Sequence, residues 1–272
     1  MRRARERMVR CTEFPAIELM PRLPIWFHRL ASPVYFYDIA GVVVPWTAIL
    51  GVALFTAGSV WGLAFAPADY QQGDSFRIIY VHVPAAAFSM GAYVFMAISA
   101  GIGLVWRIKL ASMSARSAAP VGAAFTALAL ATGSLWGKPM WGTWWIWDAR
   151  LTSELILLFL YLGYMSLQEA IEDRDTAYRA SAVLALVGLV NIPVIHYSVE
   201  WWYTLHQGAT IFKFDKPSID QGMLWPLLVM LGAYGLLFAT IVLVRVRNEI
   251  LELRMEPVAT GSPATPTHLT ES

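Results

Sequence analysis

The chain has 272 residues, 57% of them hydrophobic and 14% charged, with a formal net charge of +1 and a mean hydropathy of +0.53. Soluble domains run at about 45–50% apolar and about 25% charged residues, so lipid has to cover part of this surface, which excludes a disordered chain, a small secreted domain and an ordinary cytosolic enzyme. The near-neutral balance lacks a strongly basic nucleic-acid footprint, and a lone Cys11 excludes an internal disulfide, a CxxC redox pair and a CxxCH attachment motif, leaving His, Met and carboxylates for any metal chemistry.

Residues 1–38 form an N-terminal segment with Arg2, Arg3, Arg5, Arg7, Arg10, Arg22 and Arg29. Pro15, Pro21, Pro24 and Pro33 block one long helix there. Its arginines and aromatics suit a cytoplasmic segment at the membrane surface. No cleaved signal peptide is expected, because the first apolar run starts only after these residues and is too long for a signal sequence. Ala64-Phe65-Ala66 resembles a cleavage site, but cutting there would discard a whole span.

A hydrocarbon core of about 30 Å needs about 20 apolar residues to cross it. Six segments qualify: Ile39–Leu63, Tyr80–Trp106, Val121–Leu135, Leu151–Leu167, Tyr178–Ile195 and Met223–Val244. None alternates polar and apolar residues at period two, so a barrel is not expected. The reading is an all-α integral membrane protein, with a six-helix transmembrane bundle over 39–245 and a C-terminal cytoplasmic tail over 246–272. The tail from Glu256 onward has the composition of a disordered end.

Lys and Arg in the connections set the orientation. The N-terminal segment, the second and fourth connections and the C-terminal end hold fifteen of them; the other side has Arg77, Lys138, Arg150, Lys213 and Lys216. Both termini are therefore expected in the cytoplasm, with the first, third and fifth connections facing outward.

Those three outward loops hold the unusual residues. The first, FAPADYQQGDSFRIIYVHVPAA, contains Asp69, Asp74, Arg77 and His82. The second, WGKPMWGTWWIWDARLTSE, is a tryptophan-rich loop over 136–150 with Trp136, Trp141, Trp144, Trp145 and Trp147. Interfacial tryptophans are normally spread as a belt over several helix ends; five on one connection exceed what anchoring needs. Gly137 and Gly142 let the backbone turn and Pro139 is expected to interrupt a helix, so this segment should lie at the interface. Its flat faces suit a planar apolar ligand. Asp148 and Arg150 end the run, and Arg150 suits a carboxylate clamp. The third loop, NIPVIHYSVEWWYTLHQGATIFKFDKPSIDQG, carries His196, Glu200, Trp201, Trp202 and His206. Ten residues separate its histidines, not the four of a zinc site on one helix, and HExxH is absent, so a zinc hydrolase is poorly supported. Glu154, the main acidic group inside an apolar run, suits a helix cap or a pair with Arg150.

Histidines, aromatic faces and arginines gathered on one side suit haem, whose iron takes axial imidazoles, whose macrocycle takes aromatic faces and whose propionates take arginines. Spacing alone leaves His196 and His206 open as partners of His82. The echo of Gly58-Ser59-Val60-Trp61-Gly62 in Gly133-Ser134-Leu135-Trp136-Gly137 is a small-xxx-small pattern, read as a packing device.

The stretches FAPADYQQGDSFRIIYVHVPAA, GSLWGKPMWGTWWIWDARLTSELILLFLYLGY and NIPVIHYSVEWWYTLHQG closely resemble the WWD-signature haem-handling family, over residues 64 to 208. The resemblance implies non-covalent, transient haem b on the outer, periplasmic face of the bacterial inner membrane. His82 and His206 match the family's axial ligands, and His196 is left as a structural residue. Trp136, Trp141, Trp144, Trp145, Trp147 and Asp148 match the signature loop beneath the macrocycle. Arg77 and Arg150 occupy positions used near haem, where a propionate contact is expected.

The implied role is presentation of haem to a periplasmic haem chaperone, CcmE, for c-type cytochrome biogenesis. The implied partners are the ABC transporter subunits CcmA and CcmB and the small membrane protein CcmD. The chain itself has no GxxxxGK[ST], so ATP dependence would belong to partners. No residue is an obvious acid or base for covalent chemistry, which leaves transfer or lyase-like handling rather than ATPase or hydrolase activity. Two other classes compete. A bis-histidine electron-transfer membrane cytochrome would want histidine pairs within the spans, and a channel or carrier would want ionisable residues along them.

Overall fold

A computed structural model describes residues 32–206, 208 and 219–259. Most of the N-terminal segment, Lys213, Lys216 and the last part of the tail lie outside the described residues. Among the described residues the architecture is all-helical, with no strand beyond an isolated bridge between Asp69 and Gly73. Six helical stretches are long and apolar enough to cross a membrane: Pro33–Phe65, Asp74–Trp106, Lys109–Trp141, Ala149–Ala170, Arg174–Trp201 and Gln221–Leu253.

Helix α1 (Pro33–Val60) starts with proline in its first turn, where the missing N–H costs nothing. It ends in a π-helical turn, Trp61–Phe65. It lies against α7 (Gln221–Ala259) and leaves Val42, Trp46 and Ile49 exposed, as a helix bathed in lipid does. A 3-10 turn at Asp74–Ile78 leads into α2 (Ile79–Trp106), which packs along α3 (Lys109–Trp141). Lipid tails are as apolar as leucine, so helices associate in a membrane by close packing and hydrogen bonding rather than by escape from water. Small residues are accordingly buried on both helices, Ala97 and Ala100 of α2 in one cluster with Ala115, Ala118 and Ala119 of α3, and Gly103 abuts Ser112. Helix α4 (Ala149–Ala170) adds Leu157, Tyr161 and Tyr164 to the core. Polar side chains within the bundle tie helices together by bonding to carbonyls: Tyr161 Oη donates to the Ser89 carbonyl at 2.8 Å and Asn191 Nδ2 to the Ser153 carbonyl at 2.9 Å.

The fifth span is broken into α5 (Arg174–Gly188) and α6 (Asn191–Trp201). Pro193 explains the break. Its ring would clash with the carbonyl of residue 189 and it has no N–H for that carbonyl. The backbone instead tightens, with Leu189 N bonded to Leu186 O and Val190 N to Val187 O, both at 3.3 Å.

The elements exceed their expected bounds at several ends. The third span runs from Lys109 rather than Val121, because Ala115, Ser117, Ala118 and Ala119 turn into the bundle although the serines, Lys109 and Arg116 of this stretch depress its hydropathy. Pro139 does not interrupt α3; the helix passes it and stops at Gly142, whose φ of +76° is left-handed. Trp136 and Trp141 therefore sit on a helix, and the irregular part of the tryptophan run shrinks to residues 142–148. Pro33 likewise starts a helix within the expected N-terminal segment, and α7 continues helically beyond Val244 into the expected tail.

Candidate functional site

Three connections converge at one end of the bundle around a cavity of about 160 Å³. Its lining comes from α2 (Ile79, His82, Val83, Ala86, Met90), α3 (Gly133, Trp136, Met140, Trp141), Arg150 on α4, His196 on α6, the segment carrying His206, and Ile219 and Leu227. A smaller cavity of about 30 Å³ lies against it, lined by His82, Arg150, Glu154 and His206.

His82 sits one turn into α2, and Trp136 lies edge-on to its ring at 5.7 Å between centroids. The ring of His206 is 6.3 Å from that of His82, centroid to centroid, and 5.2 Å from that of Trp141. The His206 backbone N–H donates to Thr204 Oγ1 at 2.9 Å, which ties the segment down locally. Its Nδ1 is buried with no hydrogen-bond partner. Burial, and secondarily the Arg150 guanidinium, holds the His206 imidazole down to about 4, so it is neutral near pH 7 and has a lone pair to give. An imidazole nitrogen lies about 2 Å from a metal it ligates, so two rings facing one metal have centroids roughly 6 Å apart. The His82–His206 spacing fits one iron atom, and the flanking tryptophans fit a planar macrocycle.

Arg150 reaches the same centre. Its Nη1 donates to the Ile195 carbonyl at 3.1 Å, which pins α4 to α6 and leaves the rest of the guanidinium beside the cavity. Glu154 neither caps α4 nor ion-pairs with Arg150: it is buried and accepts from Ser89 Oγ at 2.6 Å. The cap belongs to Asp148, whose Oδ1 accepts from Leu151 N at 2.8 Å while Oδ2 is buried without a partner.

Arg77 stands apart from the cavity. Its Nε bonds Asp74 at 2.8 Å and its Nη1 donates to the carbonyls of Gly62 and Leu63, each at 3.2 Å, where the π turn frees acceptors. Trp144, Trp145 and Trp147 also do not line it. Trp147 is 74% exposed and Trp144 55%, forming an aromatic rim, while Trp145 meets Trp147 edge-on at 5.4 Å with its Nε1 buried and unpartnered. Tyr197 and Trp201 stack nearby at 5.4 Å, and Trp202 and Tyr203 are exposed.

Two further residues line the cavity: His196, which the resemblance had set aside as structural, and Gln72, which the sequence reading missed. His196 faces the cavity because the break at Pro193 resets the helical phase. Gln72 is brought over it by an Asx turn, in which Asp69 Oδ1 accepts from Gln71 N and Gln72 N; Gln72 Oε1 then accepts from Trp136 Nε1 at 3.0 Å. A D-x-Q-Q-G turn signal was its only trace. The glycine echo is a packing device as read. Gly58 abuts Met230, and a Cβ on Gly133 would lie 3.1 Å from His82 Cε1.

Six apolar spans with an aromatic, imidazole-lined cavity at one end of the bundle define a multi-pass membrane protein whose cavity has the shape and lining for a flat ligand. Sequence comparison narrows this class. The family model described as heme exporter protein C matches residues 26–260, and the chain belongs to that family. It is 57% identical over 224 residues to the heme exporter protein C of Escherichia coli (strain K12), covering 82% of this chain and 90% of the relative. Similarity extends to the proteins of the same name from Bradyrhizobium diazoefficiens (51% over 226 residues, 83% and 86% covered) and Rhodobacter capsulatus (42% over 236 residues, 86% and 96% covered).

Proposed function

We propose that the chain binds haem at the periplasmic face of the inner membrane and hands it to a periplasmic chaperone, CcmE, for c-type cytochrome biogenesis. The observation that carries this reading is the 6.3 Å pairing of His82 and His206, each against a tryptophan, at a cavity mouth. His82 and His206 are the iron ligands, Trp136 and Trp141 the inner faces against the macrocycle, and Arg150 the propionate contact. Asp148 supports the tryptophan segment. Arg77 holds the first loop rather than the propionate.

Haem b supplies no chemistry to this chain; it is cargo. Two imidazoles fill both axial positions of the iron, which suits holding rather than oxygen activation. The exposed Trp144, Trp147, Trp201 and Trp202 form an apolar rim at which a chaperone can dock. CcmA and CcmB supply ATP-driven release, and CcmD joins the assembly. The distribution of Lys and Arg supports cytoplasmic termini. An electron-transfer cytochrome is less well supported, because all three histidines among the described residues line this one cavity.

The test is transfer. Purified haem-loaded protein is mixed with haem-free chaperone in detergent, and covalent haem on the chaperone is followed by haem staining after denaturing electrophoresis. Stained chaperone that depends on His82 and His206 is expected. A chaperone that stays haem-free while the protein holds its haem contradicts the delivery role.

A further inference from the structure

We infer that Thr132 is a positioning residue for His82: its hydroxyl holds the imidazole in the Nδ1–H tautomer and so keeps Nε2 as the lone-pair nitrogen offered to iron. The inference rests on His82 being an iron ligand, as argued under the proposed function.

A neutral imidazole protonates at one nitrogen and can donate a lone pair only from the other, so the partner of one nitrogen decides what the other can do. His82 Nδ1 lies 3.0 Å from Thr132 Oγ1. Distance alone does not say which atom gives the proton, but the other partners of the threonine point to the imidazole as the donor. A hydroxyl has one hydrogen. Thr132 Oγ1 is 2.6 Å from the Leu128 carbonyl and 3.2 Å from the Ala129 carbonyl, acceptors with no hydrogen to offer. This is the back-bonding that threonine makes inside helices, and it uses the hydroxyl proton within α3. Towards His82 the oxygen has only lone pairs left, so Nδ1–H is the donor. Thr132 is itself buried, so no bulk water competes for that lone pair. No hydrogen bond to Nε2 occurs among the described residues.

The next residue completes the seat. Gly133 leaves room for the ring edge, since a Cβ there would stand 3.1 Å from His82 Cε1. Thr132 and Gly133 thus fix the ring from α3, in both rotation and tautomer, before any ligand arrives. An Nδ1–H that is hydrogen-bonded also makes Nε2 more basic, which favours ferric over ferrous iron.

The experiment uses the full chain in detergent with haem, as wild type, Thr132→Val, Thr132→Ser and His82→Ala. Thr132→Val keeps the shape and removes the oxygen. It is expected to weaken haem binding about tenfold, the lower end for loss of such an outer partner, and to raise the reduction midpoint of the low-spin haem that remains. Thr132→Ser is expected to restore both. A packing role would show as loss of folded protein with an unshifted midpoint and no rescue by serine. Nitrogen-15 NMR of the haem-free wild type checks the tautomer even if Thr132→Val does not fold: Nδ1 should carry the proton. Wild-type affinity and midpoint in Thr132→Val, with a spectrum that His82→Ala does abolish, overturns the role of Thr132; so does a proton on Nε2 in the haem-free protein. An unchanged spectrum in His82→Ala overturns the ligand assignment, and this inference with it.

Discussion

The aspartate that closes the tryptophan run offers a sharp test of how the site is built. Asp148 has an extended backbone (φ −91°, ψ 171°) and its Oδ1 accepts from Leu151 N at 2.8 Å, which makes it the N-cap of α4. Replacing such a cap by alanine costs about 1 kcal/mol, within about 0.5 to 2. At room temperature 1 kcal/mol is about fivefold in an equilibrium, and the range spans about twofold to thirtyfold. Asp148→Ala should therefore open the first turn of α4 about fivefold more often, carrying Arg150 with it. The assay is hydrogen exchange of the peptide over residues 143–155 in detergent, read beside haem affinity. Asp148→Asn keeps an oxygen at the cap position and should exchange like the wild type. Equal exchange in Asp148→Ala and wild type would refute the cap. Asparagine behaving as badly as alanine would show that the carboxylate charge matters and that the cap does not explain the residue.

Four further outcomes are expected. His206 must be neutral to ligate, and its ionisation is held down to about 4, so haem affinity should be flat from about pH 8 to 6 and fall only as pH approaches 4. The sign follows for Arg150→Ala: removing a cation that disfavours protonation raises the His206 value, and spectrophotometric acid titration should show haem released at higher pH. Trp136→Phe and Gln72→Ala each remove the bond that ties the first loop to α3, worth about 1 kcal/mol; in detergent unfolding the double variant should lose about 1 kcal/mol less than the sum of the two singles, whereas fully additive losses would contradict the contact. Arg77→Lys should leave haem affinity within about twofold, since that side chain serves Asp74 and the carbonyls of Gly62 and Leu63, and should lower stability by about 1 kcal/mol, measured in the same unfolding assay.

The spans were legible because twenty apolar residues in a row have few soluble uses, and their centres fall inside the observed helices. Their ends were not. Hydropathy counts serine against a span, yet Ser117 is buried at a helix contact where small size matters more than polarity. Pro139 misled for a related reason. A proline three residues before a helix end sacrifices one backbone bond and little else, so α3 carries Trp136 and Trp141 into the cavity instead of leaving them on a loop. The resemblance named His82 and His206, and the structure brings their rings together. Arg77 shows the limit of charge pattern as a guide, because no sequence rule announces that a π turn will free two carbonyls for it. Spacing left His196 open beside His206 and the resemblance set it aside as structural, yet it lines the cavity wall just beyond the break at Pro193.

The central claim is that two imidazoles, one on α2 and one beyond α6, hold a single haem iron. Absorption spectra of the purified protein, oxidised and reduced, beside His82→Ala, His206→Ala and the double variant, test it most directly. Low-spin haem in the wild type, altered in each single variant and lost in the double one, is the expected result. A full low-spin spectrum in the double variant would contradict the claim, and His196, the third imidazole at the same cavity, would be the residue to replace next.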